Sequence, residues 1–238
     1  MSAAPDAPLG DRLDWHGASP AQRVTLLGRY VQVRPVNAAA DAEPLYSVSH
    51  PPLGDPAIWT YLFDGPFESP EELRRYLADV QENSDPLFFT LVRLPEREPQ
   101  GVASYLRITP EHGVIEIGNI WFGTPLQRTP AATEAIYLLI RHSFDELGYR
   151  RVEWKCNALN AASRRAAERF GFRFEGIFRQ HLVIKGRNRD TAWYALTDGE
   201  WPSVRDGFER WLDPANFEAS GRQRRRLGEF VQAGGRLF

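Results

Sequence analysis

Alternation and helical spacing divide most of the chain into a short series of elements. Tyr30–Arg34 alternates like a strand and stops at Pro35. Asn37 can cap a short helix running toward Ser49, and the proline-rich stretch from His50 to Phe67, with Trp59, Tyr61 and Phe63, reads as an ordered aromatic loop. Ser69-Pro70-Glu71-Glu72 starts a helix to about Asn83. The Ser69 hydroxyl can bond a free amide of the first turn, Pro70 fits the first helical position, and Glu72 completes a capping box. Leu87–Arg93 and Val102–Ile108 predict a hairpin, and Val114–Phe122 a third strand.

The second half continues in the same way. Ala131–Leu147 carries an apolar stripe at Ile136, Leu139, Ile140, Phe144 and Leu147, closed by Gly148. In Arg151–Cys156, Val152, Trp154 and Cys156 share one face. A short helix over Asn160–Phe170 ends at Gly171, and Phe172–Ile184 pairs with Thr191–Leu196 across Gly186-Arg187-Asn188. The order predicts a mixed α/β fold, its mixed sheet centred on a parallel pair. Residues 1–22 are expected to be a loose arm, 23–199 the domain, and 200–238 a helical extension. The extension packs back on the domain or forms a homodimer through Trp201, Trp211, Leu212 and Phe217.

Composition narrows the function classes. A chain of 238 residues with 42% hydrophobic and 25% charged residues is ordinary for a soluble protein. The net charge of −2 gives no electrostatic footprint for nucleic acid. Lys155 and Lys185 are the only lysines among 29 basic residues, a bias attributed to base composition. The single Cys156 excludes an intramolecular disulfide and multi-cysteine zinc sites. The start, Met1–Gly10, lacks the basic and apolar regions of a secretory signal, and no apolar run is long enough to span a bilayer. A cytoplasmic protein without membrane association is expected.

Candidate chemistry concentrates in residues 116–172. A strand ends at Phe122, the loop Gly123–Pro130 follows, and a helix begins at Ala131 with Thr129 as N-cap. Loop amides and a helix N-terminus aimed one way make an anion site. The next strand leads to Asn160-Ala-Ala-Ser163 and then to Gly171-Phe172.

These residues resemble the GCN5-related N-acetyltransferase (GNAT) superfamily, in its ribosomal-protein N-terminal acetyltransferase-like branch, over about Val24–Leu196. Gln127 to Ala132 matches the first and last positions of that family's Gln/Arg-x-x-Gly-x-Gly/Ala loop. Asn160, Ser163, Gly171 and Phe172 match its later Asn-x-x-Ser and Gly-Phe pattern. The resemblance implies the GNAT acyl-CoA N-acyltransferase fold, acetyl-CoA as co-substrate, and transfer to a primary amine, either a protein N-terminus or a small amine. It assigns pyrophosphate binding to Gln127, Arg128, Thr129, Pro130, Ala131, Ala132 and Thr133, and pantetheine contacts to the strand end Ile120, Trp121, Phe122 and to Asn160. Ser163 becomes the acid that protonates the departing thiolate. Glu116, or a water chain in its place, becomes the base, and the bland alternative for Glu116 is an ion pair with Arg107. The acceptor pocket is expected from Trp59–Phe67 and Phe178–His181.

Two departures from the pattern stand out. Pro130 replaces a glycine and removes one backbone donor, and Ala167 stands where many relatives carry a tyrosine acid. They keep open a second class, a non-catalytic CoA-binding module for sensing or scaffolding. The five histidines share no ligand spacing, so no metal is expected, and Cys156 reads as a small core residue. Arg222–Arg226 reads as a solvated basic face, and Gly234-Gly235 is too isolated for a nucleotide loop.

Overall fold

The computed structural model describes residues 9–231, so Met1–Pro8, Gly234 and Gly235 lie outside the described residues. In chain order the elements are β1 (Leu26–Leu27), β2 (Val31–Pro35), α1 (Ala38–Ser49), α2 (Pro70–Gln81), β3 (Leu87–Arg93), β4 (Glu98–Thr109) and β5 (Val114–Phe122). Then come α3 (Pro130–Arg141), β6 (Arg151–Asn157), α4 (Ala161–Arg169), β7 (Arg173–Ile184), β8 (Arg187–Thr197) and α5 (Trp201–Leu212). The eight strands form one sheet in the order β1-β2-β3-β4-β5-β6-β8-β7. Only β5 and β6 run parallel.

Strand alternation sorts side chains to the two faces of this sheet. Val31 and Val33 of β2, Phe89 of β3, Ile115 and Ile117 of β5, Trp154 and Cys156 of β6, and Tyr194 of β8 join the main core with α3 and α5. Phe88 and Val102 point the other way, into a second cluster under α1 and α2. On β5 the phase reverses. Ile115 and Ile117 enter the main core, yet Trp121, also odd-numbered, enters the second cluster. The cause is a bulge: between the pairs Val102↔Trp121 and Ser104↔Gly118, β5 spends one residue more than β4. Asn119 takes a left-handed φ of 48° there, and its Nδ2 donates to Ser104 Oγ at 3.0 Å. Beyond the bulge the strand presents its other face to each core.

Side-chain caps set the helix starts. Asn37, Ser69, Thr129 and Asn160 each accept from the amide three residues on, at 3.1, 3.2, 3.2 and 3.0 Å. Glu72 reaches back to the amide of Glu68 at 2.6 Å, one residue beyond the Ser69 amide that the expected capping box would use. The helix expected over Ala131–Leu147 is α-helical only to Arg141 and closes through a π-helical turn, His142–Glu146. Buried His142 anchors that turn to Tyr105 (Nδ1 to hydroxyl, 3.2 Å).

Parts of the described arm and of the described tail pack against the sheet and its core. The Ala18 and Ser19 amides donate to Pro110 and Leu147 carbonyls at 2.9 and 2.8 Å, so this part of the arm is pinned to the end of the sheet. In the tail, Trp201 stacks on Phe144, and Trp211 packs edge-on to Phe217. Trp201, Trp211 and Leu212 are buried in the chain's own core. The apolar content that suggests a homodimer is therefore covered within one chain.

Candidate active site

The β5–β6 ladder has three rungs, Val114↔Arg151, Ile115↔Val152 and Glu116↔Glu153, and then the strands part. A partly open cleft fills the gap. Ile117–Ile120 of β5 form one wall, Trp154–Asn157 of β6 the other, and Asn160 and Ser163 of α4 close one end. Tyr61, Leu62 and Phe63 of the aromatic loop, Leu106 and Arg107 of β4, and His181, Arg189 and Thr191 of the last hairpin also line it. Trp59 and Phe67, expected in this pocket, are instead packed edge-on in the second core cluster.

Among the residues singled out from the sequence, Glu116, Ile120, Asn160 and Ser163 meet in this cleft. Trp121 and Phe122 continue the parted strand beyond it. Gln127–Thr133 form the adjoining loop and first turn of α3.

Glu116 is buried and bound to two cations. Its Oε2 accepts from Arg107 Nη1 at 2.6 Å and lies 2.9 Å from Lys155 Nζ. Its Oε1 stands beside Gly118, 3.3 Å from where a Cβ on that glycine would be. The Arg107 contact follows from a second bulge, where Arg107 has a φ of 49° and Asp85 accepts from the amides of Arg107 and Ile108 at 2.9 and 3.0 Å. Lys155 also meets Glu153 Oε2 at 2.5 Å, and Arg151 joins Glu153 to Glu175. Six alternating charges thus run from β4 to β7 on the sheet face opposite the main core. Burial pushes the Glu153 carboxyl up, but hydrogen bonds from Lys155 and Arg151 outweigh it and leave the pKa lowered.

Ser163 Oγ accepts from the Trp154 indole at 2.9 Å, which leaves the hydroxyl proton to be given elsewhere. Asn160 caps α4 with Oδ1, leaving Nδ2 for other partners. Cys156 lines the same wall, and burial pushes its thiol up, as befits a core residue.

In the loop, the amides of Gly123, Thr124, Leu126, Gln127 and Thr129 already donate to backbone carbonyls. Those of Arg128, at φ 60°, and Ala131 have no acceptor among the described residues. Arg128 is exposed just before α3, whereas Ala131 in its first turn is buried, so the loop keeps fewer free donors for an anion than the sequence suggests. Among the described residues no group of three or more His, Cys, Asp or Glu could hold a metal ion, and no helix is long and apolar enough to cross a membrane.

Comparison with known proteins decides the family. The acetyltransferase (GNAT) domain family matches residues 31–173. A crystal structure of a GCN5-related N-acetyltransferase from Brucella melitensis superposes with a TM-score of 0.88 at 44% identity, covering 92% of this chain and 98% of that one. The chain belongs to the GNAT acetyltransferase family. It is an acyltransferase by that membership.

Within the GNAT family, 86 residues of this chain are 35% identical to "Putative ribosomal N-acetyltransferase YdaF" of Bacillus subtilis. The aligned stretch spans 36% of this chain and 46% of that relative, less than half its length. A structure named RimL, ribosomal L7/L12 alpha-N-protein acetyltransferase, in complex with coenzyme A, shares the fold. Its TM-score is 0.61 at 22% identity, covering 75% of this chain and 99% of that one. The cleft also contains residues that sequence reasoning passed over. Lys155 was visible only as one of two lysines in an arginine-rich chain, and Arg189 and Thr191 gave no motif signal at all.

Proposed function

We propose that this protein transfers an acetyl group from acetyl-CoA to a primary amine, and that the cleft between β5 and β6 is where transfer occurs. The observation that carries the reading is the parting of the parallel pair after Glu116 and Glu153, beside a helix start with unpartnered amides. Acetyl-CoA would supply the acetyl group as a thioester. The parted edge of β5, from Ile120 to Phe122, pairs with the pantetheine arm as an added strand would, and Asn160 Nδ2 holds it from the other wall. Gln127 to Thr133 receive the pyrophosphate, chiefly through the amides of Arg128 and Ala131. Pro130 adds no donor but fits the first helical position.

The amine nitrogen forms a bond to the thioester carbonyl carbon as the C–S bond breaks. A strand amide at Ile120 or Trp121 polarises the carbonyl. Glu116 takes the proton that the amine sheds, at Oε1, directly or through water. Arg107 and Lys155 both hold Oε2, so Oε1 is the oxygen left to serve an amine that arrives uncharged. Ser163 gives its proton to the departing thiolate while Trp154 holds its oxygen.

The acceptor is a protein N-terminus, in line with the alpha-N-protein acetyltransferase named for the RimL structure, or a small amine. The reading places the enzyme in the cytoplasm, with residues 23–199 as the transferase domain and the tail as its extension. The test is thiol release from acetyl-CoA with amine acceptors, repeated with Glu116→Gln and Ser163→Ala. A catalyst loses turnover in at least one variant while keeping CoA affinity. Unchanged turnover in both variants would overturn the assigned roles.

A further inference from the structure

Arg189 is 7% exposed, and its accessible edge belongs to the cleft wall. It lies on β8, opposite Leu182, with its guanidinium carbon 5.4 Å from the Phe63 ring centre. Its Nε donates to Thr191 Oγ1 at 3.2 Å. Neither Nη nitrogen has a hydrogen-bond acceptor, and no carboxylate lies within 4.0 Å of it, among the described residues. Thr191 Oγ1 is also 3.0 Å from His181 Nδ1, and if the hydroxyl donates there, the ring's remaining donor is on Nε2. A mostly buried guanidinium whose two Nη groups make no hydrogen bond favours an anion that pairs with it. Burial pushes its pKa down accordingly.

The charge inventory of the cleft points the same way. Its lining holds three cations, Arg107, Lys155 and Arg189, against one carboxylate, Glu116. Arg107 and Lys155 are both bound to Glu116, so Arg189 is the cation without a counter-charge. In a chain of net charge −2, this positive excess is local to the cleft. An acceptor entering as a bare ammonium ion would be repelled. A molecule that brings its own anion is attracted, and the cations favour the uncharged, nucleophilic form of its amine.

We propose that the acceptor amine is carried on a molecule with a carboxylate, and that Arg189 binds this carboxylate through its two free Nη groups. The inference rests on the acetyl-transfer reading above and specifies its substrate. The carboxylate can belong to a free amino acid or to an acidic side chain just after a peptide N-terminus. Both present the planar anion that a guanidinium fork fits.

The experiment uses the full chain with acetyl-CoA. Acceptors are L-glutamate, a short C-terminally amidated peptide with aspartate at its second position, and matched peptides with asparagine or lysine there. Thiol release and product mass are recorded. The expected result is a kcat/KM roughly tenfold or more higher for the carboxylate-bearing peptide than for its asparagine match. That ratio falls toward one in Arg189→Gln and is partly restored in Arg189→Lys. A preference for L-glutamate over both peptides assigns the carboxylate to a free amino acid. Equal turnover of asparagine or lysine peptides, or a ratio that survives Arg189→Gln, overturns the proposal while leaving acetyl transfer intact.

Should wild type acetylate none of them, the acetyl-transfer reading fails for these acceptors, and binding decides the role of Arg189. Titrating the CoA-loaded protein with L-glutamate is then expected to give saturable heat that Arg189→Gln abolishes, and no binding overturns the proposal. Thermal melting separates this role from a structural one. Removing an unpaired buried cation is expected to leave the melting temperature unchanged or raise it, whereas a structural arginine would lower it.

Discussion

Glu116 and Lys155 meet at 2.9 Å, each with a side chain 4% exposed, at the point where β5 and β6 stop pairing. Because Glu116 and Glu153 sit side by side on the last rung, two carboxylates would be buried together without Lys155 between them. The lysine stands 3.9 Å above the Trp193 ring, which limits its access to water. Lys155→Met should therefore destabilise the fold by about 3 kcal/mol in urea titration, since it leaves uncompensated buried charge. A double-mutant cycle with Glu116→Gln should recover part of that loss. Additive effects would show that the pair is not coupled.

Acid should weaken the same ladder. The Glu153 carboxyl is held below its ordinary value of 4.5, so the folded state binds the proton less readily than the unfolded chain. The stability this group contributes is fully present above about pH 4.5 and is lost as pH falls through the depressed folded value. Melting temperature measured from pH 6 to pH 3 should fall less steeply in Glu153→Gln than in wild type. Parallel curves would contradict the assignment.

The aromatic loop has its own acid sensitivity. His50 accepts from the Phe67 amide through Nε2 at 3.3 Å and contacts Ser49 Oγ through Nδ1 at 2.9 Å. Burial lowers its pKa below the ordinary 6.5. Protonation would replace the Nε2 acceptor with a donor facing a donor. Stability from this site is thus full above about pH 6.5 and is lost as pH falls through the lowered folded value. Trp59, whose ring centre lies 5.8 Å from that of His50, should report the loosening as a fluorescence change that His50→Gln removes.

Glu134 ties the first hairpin to α3. Its carboxylate accepts from the amides of Arg29, Tyr30 and Val31 at 2.8, 2.6 and 3.1 Å. Gly28 lies against it so closely that a Cβ would overlap the carboxylate. Glu134→Gln should cost about 2 kcal/mol in denaturant titration, as charge-assisted bonds become neutral ones or are lost. Gly28→Ala should destabilise as well, while Gly10→Ala, in open space, should not.

Local chemistry was the legible part of the sequence. The caps at Asn37, Ser69 and Thr129 form as expected because each needs only its own turn, and Val152, Trp154 and Cys156 share a face because alternation is a property of one strand. The mixed sheet with a parallel centre followed from element order. The bulges at Asn119 and Arg107 were not legible, since an extra residue shows only against the partner strand's register. For the same reason the surroundings of Glu116 were only partly legible. Its Arg107 partner could be guessed, but Lys155 comes from β6 across the cleft, and Arg189 joins the lining from β8 beyond it. The short strand Leu26–Leu27 was missed because two residues carry no periodicity, and the π-helical turn because its apolar spacing imitates an α-helix.

The central claim is that the gap between β5 and β6, with the start of α3, holds acetyl-CoA. Calorimetric titration of the purified protein with acetyl-CoA, and with NADH as control, tests it most directly. The account predicts saturable micromolar binding of acetyl-CoA and none of NADH. Absence of acetyl-CoA binding, or equal binding of both, would contradict it.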